Sequence, residues 1–530
     1  MAGPSHGGAG SPALEEWAPT HGKWIVTLSV MTGTIMSVLD ISIVNVALPH
    51  MQGNLGASVE QITWVATGYI LTEGFMMPLV SLLSAKIGRK RYYMLSVMLF
   101  VLASALCGTS SSLTELVAFR ILQGVGGGAL IPLSQAILLE NFPPEERGTA
   151  MGIFGIGVVL APALGPTVGG WITDHYSWPW IFFINVPIGL LNLFLVDYFV
   201  EDPPYARQRE VSIDWTGMGF LAVGLSCLQI MLEEGRDQQW FQSDLIRWLA
   251  LLAFMGLAAF IWWELRSDEP AVNLRLFKNV PFASATIIGG ILGVGLYASV
   301  FILPLFLQEL LGYPAFNSGL TLMPRSLAMG IVFPIAGRFY NRFGPRVYIG
   351  SGLAISTYAF WELGQLNVNV GFWDMCWPQV LQGVGFALIF VALSTAAVAE
   401  LRKDQMSDAT GLYNVVRRVF GSAGVALAAT ELDNGGIRYR AIMARHLSSA
   451  RGPVSSFVQN AEHAFQQLGG GTKLAYQKSY RMLDGIMTQQ ASMLSFNHVF
   501  FLMAVVFAVA IPLIFFLHSG PRDGSDVMME

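Results

Sequence analysis

Charge is scarce in this chain. Only 12% of its 530 residues are Asp, Glu, Lys or Arg, where soluble globular proteins carry about 25%. With 53% hydrophobic residues and a mean hydropathy of +0.53, the composition excludes a soluble enzyme and indicates an integral membrane protein. Cysteine is almost missing. Cys107, Cys227 and Cys376 stand far apart in apolar runs, which excludes a disulfide framework and a metal knuckle, so no metal and no cofactor is expected. No block of like charge suggests nucleic acid as a partner. No phosphate loop G-x-x-x-x-G-K-[ST] occurs: the only Gly-Lys pair, Gly22-Lys23, is followed by Trp24, and GVGGGA at Gly124 lies in mid-span with no strand before it. Any pumping would draw on an ion gradient. Residues 1–22 lack the basic-then-apolar layout of a signal peptide, so the first apolar run is expected to stay and to act as its own insertion signal.

What the chain does have is long apolar runs. A spanning helix needs about 20 mainly apolar residues, and fourteen such runs are found, from 24–48 to 498–518. Lys and Arg concentrate in the short loops after even-numbered spans: Lys86, Arg89, Lys90 and Arg91, then Arg147, Arg207, Arg209, Arg266, Arg275, Lys278, Arg338, Arg342, Arg346, Arg402 and Lys403. Positive loops stay cytoplasmic, so both termini are expected there. The loop at 433–497 alternates apolar and polar residues at helical spacing, which predicts a small external helical hairpin.

An internal repeat organises the spans. LQGVG at Leu122 recurs at Leu381, an offset of 259, and Gly152 of TAMGIF aligns with Gly411 of DATGLY at the same offset. SLLSAKIGRKRY from Ser81 and GRFYNRFGPRVY from Gly337 keep the same seven-residue step to Gly88 and Gly344. These copies lie eight spans apart, an even shift that preserves orientation. The expected fold is an all-α bundle of 14 transmembrane helices arranged 6+2+6, with two parallel repeats and a pathway at their interface. The expected units are a tail at 1–22, a six-helix half at 23–205, two central helices at 206–270, a second half at 271–518 that includes the external loop, and a tail at 519–530.

An ionisable residue inside a span marks a functional site by default. At about 1.5 Å per residue, Asp40 lies about 12 Å from the outer end of the first span, Arg120 about 10 Å in the fourth and Glu73 about 18 Å in the second. At least one acid should therefore meet Arg120 or a wet cavity. The repeat places Gln379 where Arg120 stands, so packing alone does not demand the charge. Arg325, about 10 Å deep in the tenth span, faces an anionic substrate, pairs with Glu309 or snorkels to the surface. GIGVVLAPALGPTVGG from Gly155 sets small residues at helical spacing, with Pro162 and Pro166 inside the span. It reads as a tightly packed kinked helix or as a sliding surface between halves. Tyr69, Phe75, Met76, Tyr297 and Phe301 are candidate substrate walls, since aromatic and Met side chains suit adaptable sites, with ordinary packing as the alternative.

LDISIVNVALP at Leu39, the basic loop after the second span, FRILQGVG at Phe119, the GP-containing fifth span and WIFFINVPIG at Trp180 together resemble the fourteen-helix drug:proton antiporter branch of the major facilitator superfamily. GNLGAS at Gly53, LIPLSQ at Leu130, SCLQIML at Ser226, LQELLGY at Leu307 and MTQQAS at Met487 are most similar to the EmrB-type multidrug efflux pumps of Gram-negative bacteria. The resemblance implies proton coupling through Asp40 and Arg120; Glu73 is a further candidate acid from its depth alone. It implies an antiporter motif at Gly165, Pro166, Gly169 and Gly170, and a cytoplasmic loop motif at Gly88, Arg89 and Lys90. Ser81 and Ala85 depart from that loop motif, replacing its glycine and its acid, which removes the expected charge relay. It further implies an inner-membrane location, a periplasmic adaptor and an outer-membrane channel as partners, and small hydrophobic substrates exchanged for protons.

The function expected is export of hydrophobic and amphipathic compounds driven by protons. A dedicated carrier for one metabolite class, such as a fatty acid, siderophore or amino acid, is the alternative. A membrane enzyme would need clustered His, Ser or Cys nucleophiles at membrane depth, and none is found.

Overall fold

The computed structural model describes residues 21–202, 214–267, 270–399, 401, 405–446, 452–467 and 471–517. Most of the tail at 1–22, the start of the central pair at 206–213 and the tail at 519–530 lie outside the described residues. No strand occurs among the described residues. The first half comprises α1 (Lys23–Leu55), α2 (Val59–Met76), α3 (Val80–Ile87), α4 (Arg89–Thr109), α5 (Leu113–Asn141), α6 (Arg147–His175), α7 (Trp180–Phe183) and α8 (Asn185–Phe199). A 3-10 turn at Met77–Leu79 joins α2 to α3. The central pair is α9 (Trp215–Glu234) and α10 (Asp244–Arg266), and the second half is α11 (Val280–Leu305), α12 (Ala315–Leu363), α13 (Phe372–Ala396), α14 (Met406–His446), α15 (Gly452–Gln467) and α16 (Thr472–Ala510).

Eleven described helices are long and apolar enough to cross a membrane, so the expected fourteen are not matched one for one. Two reasons are local. Chain 317–363 counts once although it bends back at Gly344. The buried and polar content of α14, with Arg417 and Arg418 in mid-helix, lowers its hydropathy. Helix starts follow local chemistry. Ser58 and Gln61 form a reciprocal capping box at α2, and the side chains of Ser112, Asp214 and Asn279 accept backbone N–H groups at α5, α9 and α11.

The described parts of 433–497 are helical, and at both ends they continue the neighbouring spans. α14 runs on without a break to His446 and α16 begins at Thr472, with the amphipathic α15 between them among the described residues. Gly435 of α14 permits close approach to α16, since a Cβ there would stand 2.2 Å from Ser495 Oγ.

The repeat survives in three dimensions. Gly88 and Gly344, 256 residues apart, both adopt positive φ, at 92° and 72°, a region that favours glycine. A Cβ on Gly124 would stand 2.7 Å from Tyr69 O, and one on Gly383 would stand 2.4 Å from Arg325 O. The pairs are related by offsets of 259 and 256. Contacts between halves obey the same rule with the halves exchanged. Gly152 approaches Phe333 O, and its counterpart Gly411 approaches Met77 O, the counterpart of Phe333. A two-fold relation between the halves requires this exchange.

The halves meet near the end that carries the basic loops. There the start of α6 packs on α12, where Gly148 and Gly337 face each other's backbone, and Phe154 stacks on Phe390 of α13 at 6.3 Å. On the other side Thr410 of α14 donates to Pro132 O of α5 at 3.3 Å, and Asn414 donates to Gln135 at 2.8 Å.

Candidate functional site: buried ion pairs in and between the halves

α1, α2, α5 and α8 converge on Asp40. The guanidinium of Arg120 donates through Nη1 to Asp40 Oδ2 at 2.6 Å and to Gln123 Oε1 at 2.8 Å, and through Nε to Val65 O at 3.0 Å. Gln123 Nε2 and Asn185 Nδ2 both donate to Asp40 Oδ1, at 3.0 and 2.7 Å. Asn185 also donates to Ser104 Oγ, which donates to Phe182 O. The Tyr69 ring lies 4.3 Å from the Arg120 guanidinium carbon, and its hydroxyl is 3.2 Å from Ser37 Oγ. Asp40 and Arg120 are each 1% exposed.

This arrangement has a direct chemical reading. Each Asp40 oxygen accepts at least one hydrogen bond, so the buried carboxylate is fully partnered. A proton arriving on Asp40 would remove one acceptor site and weaken the bond to Arg120. Four helices feel that change, because each contributes a group to the network.

Glu73 does not join Arg120. It reaches across the interface and pairs with Arg418 of α14, and it is fully buried while Arg418 is 14% exposed. The sequence gives the depth of Glu73 but not its bearing around the helix, and that bearing turns it toward the other half. Arg417 points elsewhere, to Asn414 Oδ1 at 2.9 Å and toward the Phe390 and Tyr413 rings.

The other expected site residues scatter. Tyr69 belongs to the Asp40 network. Phe75 and Met76 are half-buried, Met76 against Gly128 of α5 in the same half, while Tyr297 is 44% exposed and packs on α14 at Gly421. Phe301 lines a separate cavity of about 430 Å³ at the outer end of the second half, with Glu309, Leu432, Asp433 and Arg440. Arg325 is buried, with Nη1 unpartnered among the described residues, so neither snorkelling nor a bond to Glu309 describes it.

The glycine motif divides. Gly165 and Gly169 of α6 pack against Ser42 and Ile43 of α1 in the same half, Gly170 has open space around it, and Pro166 lies in the same helix. The close approach to the other half belongs to Gly148, Gly152 and Gly155, at the start of α6. In the loop motif Gly88 supplies the positive φ, Arg89 forms a buried ion pair with Glu140, and Lys90 donates its N–H to Asp202 Oδ1 at 2.7 Å. Glu140 and Asp202 thus supply acids to the loop that Ala85 lacks.

Gln123, Asn185, Glu140, Asp202, Asn414 and Arg418 were not singled out in the sequence. Signals existed for some of them: Gln123 sits one turn after Arg120, Asn185 lies inside FFINVPIG, and Arg417-Arg418 interrupts an apolar run.

The model of the Major Facilitator Superfamily matches residues 30–425. The chain is 34% identical over 493 residues to the multidrug export protein EmrB of Haemophilus influenzae, covering 93% of this chain and 95% of that protein. It is 33% identical to EmrB of Escherichia coli K12, covering 95% and 97%, and 34% identical to the fatty acid resistance protein FarB of Neisseria gonorrhoeae, covering 93% and 97%. Among solved structures, the human organic anion transporter MFSD10 superposes with a TM-score of 0.60 at 15% identity, covering 92% of this chain and all of that one. The all-helical halves, their exchanged glycine contacts and these matches agree: the chain belongs to the major facilitator superfamily, on the branch that holds the EmrB export proteins.

Proposed function

We propose that the chain exports hydrophobic and amphipathic compounds in exchange for protons across a bacterial inner membrane. The observation that carries this reading is the Asp40–Arg120 pair, buried in the first half and tied to four helices. A charge at the centre of a span costs about 2.5–3.5 kcal/mol even on the lenient insertion scale, so a chain that keeps two such charges uses them.

With the basic loops cytoplasmic, the halves are joined at the cytoplasmic end and the pathway faces outward. In that state Asp40 is within reach of external protons once substrate has left. Protonation of Asp40 neutralises the carboxylate, frees Arg120 from its strongest acceptor and loosens α1, α2, α5 and α8 against one another. The halves then part at the cytoplasmic end, Asp40 gives up its proton inside, and substrate entry resets the pair. The walls offered to substrate are apolar and adaptable, with Phe75 and Met76 among the candidates.

The long α14 and α16 support a tripartite role. At about 1.5 Å per residue, their 41 and 39 residues reach well beyond the roughly 30 Å hydrocarbon core. Together with α15 they form an outer projection suited to a periplasmic adaptor that hands cargo to an outer-membrane channel.

The test is collapse of a respiration-driven pH gradient in inverted vesicles on addition of hydrophobic drugs. Wild type should show a drug-dependent proton leak, and Asp40→Asn should reduce it at least about tenfold. An undiminished leak in Asp40→Asn would remove Asp40 from the coupling path. A leak seen only with one chemical class, such as fatty acids, would replace multidrug export by a dedicated carrier.

A further inference from the structure

The central pair α9 and α10 lies outside both six-helix halves, yet α9 is not a spacer. It packs against α2 of one half and α14 of the other, and so covers the seam where Glu73 meets Arg418. Gln229 of α9 donates to Ser422 Oγ of α14 at 2.8 Å and to Glu233 Oε1 at 2.9 Å. Glu233 also accepts from Thr67 of α2 and lies within electrostatic range of Arg418. Gly74, Gln229 and Arg418 wall a gap of about 10 Å³ among the three helices.

Glu73 therefore pairs directly with Arg418, while Glu233, in the last turn of α9, lies within electrostatic range of the same guanidinium. Glu73 Oε1 and Glu233 Oε2 are both buried and both lack a hydrogen-bond partner among the described residues. Two ionised carboxylates with one counter-ion would leave an uncompensated buried charge, which such surroundings disfavour strongly. One proton held by the pair brings the cluster to neutrality. Other charges near α9 are already engaged or turned away. Arg417 faces Asn414, Arg236 binds Asp433, Asp244 and Arg247 of α10 pair with each other, and Glu264 lies at the far end beside Asp214. Glu234 adjoins Glu233 on α9 and has a partner of its own.

We propose that Glu73 and Glu233 form a second, shared proton site, with Arg418 as its switch. In the state described here Arg418 pairs with Glu73, and the proton is on Glu233. When the halves part at the basic end, α14 carries Arg418 away from α2. α9 moves with α14 through Gln229–Ser422, so Arg418 takes ionised Glu233 as its counter-ion and the proton passes to Glu73. One O–H bond breaks on Glu233 and one forms on Glu73, Arg418 stays charged, and the cluster is neutral in both states. The central helices thus supply the counter-ion that keeps Arg418 compensated while the halves are apart.

The assignment rests on the proton-coupled reading, and its test has readouts that need no transport. Infrared spectra of the purified full chain in lipid nanodiscs at neutral pH should show a protonated-carboxyl C=O band that Glu233→Gln removes and Glu233→Asp shifts. Electron–electron distance measurements between spin labels on the two basic ends should show the parted state populated at least tenfold less in Glu233→Gln, with Glu233→Asp close to wild type. An unchanged band together with unchanged distances in Glu233→Gln would overturn the proposal. Should Asp40→Asn abolish drug-dependent proton flux while Glu233→Gln alters neither readout, export stands and this site falls. Both readouts responding in a chain that moves no drug would leave the site standing and export fallen.

Discussion

Two seams join the halves, and the repeat makes them counterparts. Along α6 and α12 the contact is apolar: Gly148, Gly152 and Gly155 close on Gly337 and Phe333, with Phe154 stacked on Phe390. Along α2, α5 and α14 it is polar, with Gly411 on Met77, Asn414 on Gln135 and Glu73 on Arg418. Shifted by the repeat offsets, Glu73 corresponds to Met329, Arg418 to Val159 and Asn414 to Gly155. One seam therefore closes without the charges that the other carries. Docking needs small residues and backbone approach, and the ion pair is surplus to it. Buried ion pairs are weak stabilisers compared with apolar packing, so Glu73–Arg418 adds little to the adhesion of its seam.

The sharpest way to break this comparison is to make the seams alike. Glu73→Met alone strands a buried arginine and should destabilise the purified protein by about 3–5 kcal/mol, read as a fall in its thermal unfolding midpoint. The double variant Glu73→Met, Arg418→Val copies the apolar seam and should recover stability to wild type or above, while drug-dependent proton flux stays lost. A double variant as unstable as the single one would mean that the seams are not interchangeable. A smaller effect separates the glycines. A Cβ at position 152 would stand 2.5 Å from Phe333 O, but one at 411 would stand 3.0 Å from Met77 O. Gly152→Ala should cost about 1–3 kcal/mol and Gly411→Ala clearly less, by the same unfolding measurement. Smallest of all is the exposed pair of Arg236 with Asp433, whose side chains are 40% and 47% exposed. Arg236→Ala should cost about 0–1 kcal/mol, and raising the salt concentration should erase the difference.

The halves differ at a second set of three positions. Arg120 and Gln123 are replaced by Gln379 and Gln382, and Tyr69 by Arg325, although Gly124 and Gly383 make the same backbone approach. The first half satisfies its polar atoms in one network, whereas both glutamines of the second are buried with unpartnered side chains among the described residues. The sequence showed that Arg120 is unique to one half. It did not show that Arg325 would sit at the counterpart of Tyr69, because the two short repeats run at different offsets, 259 and 256.

Much of the fold was legible because the relevant signals are local. Hydropathy over about 20 residues marks a span, lysine and arginine mark an end of the bundle, and LQGVG and Gly88/Gly344 mark the repeat. That an acid should meet Arg120 was legible for the same reason, since the depths could be counted, but the choice of Asp40 over Glu73 was not. The spacing of 433–497 predicts helices and its described parts are helical, but the packing of Gly435 on Ser495 is a contact between distant positions that no spacing records.

The sequence alone determined the solvent, the depth of each charge and the kinship of the halves, since these depend on composition and on rise along a helix. Only the tertiary structure decided that Glu73 belongs with Arg418, that Gly148 and Gly152 rather than Gly165 and Gly169 carry the contact between halves, and that α9 closes over the charged seam. Those facts depend on how each helix is turned about its axis. That turn is set by small residues meeting across hundreds of positions, which no local pattern records.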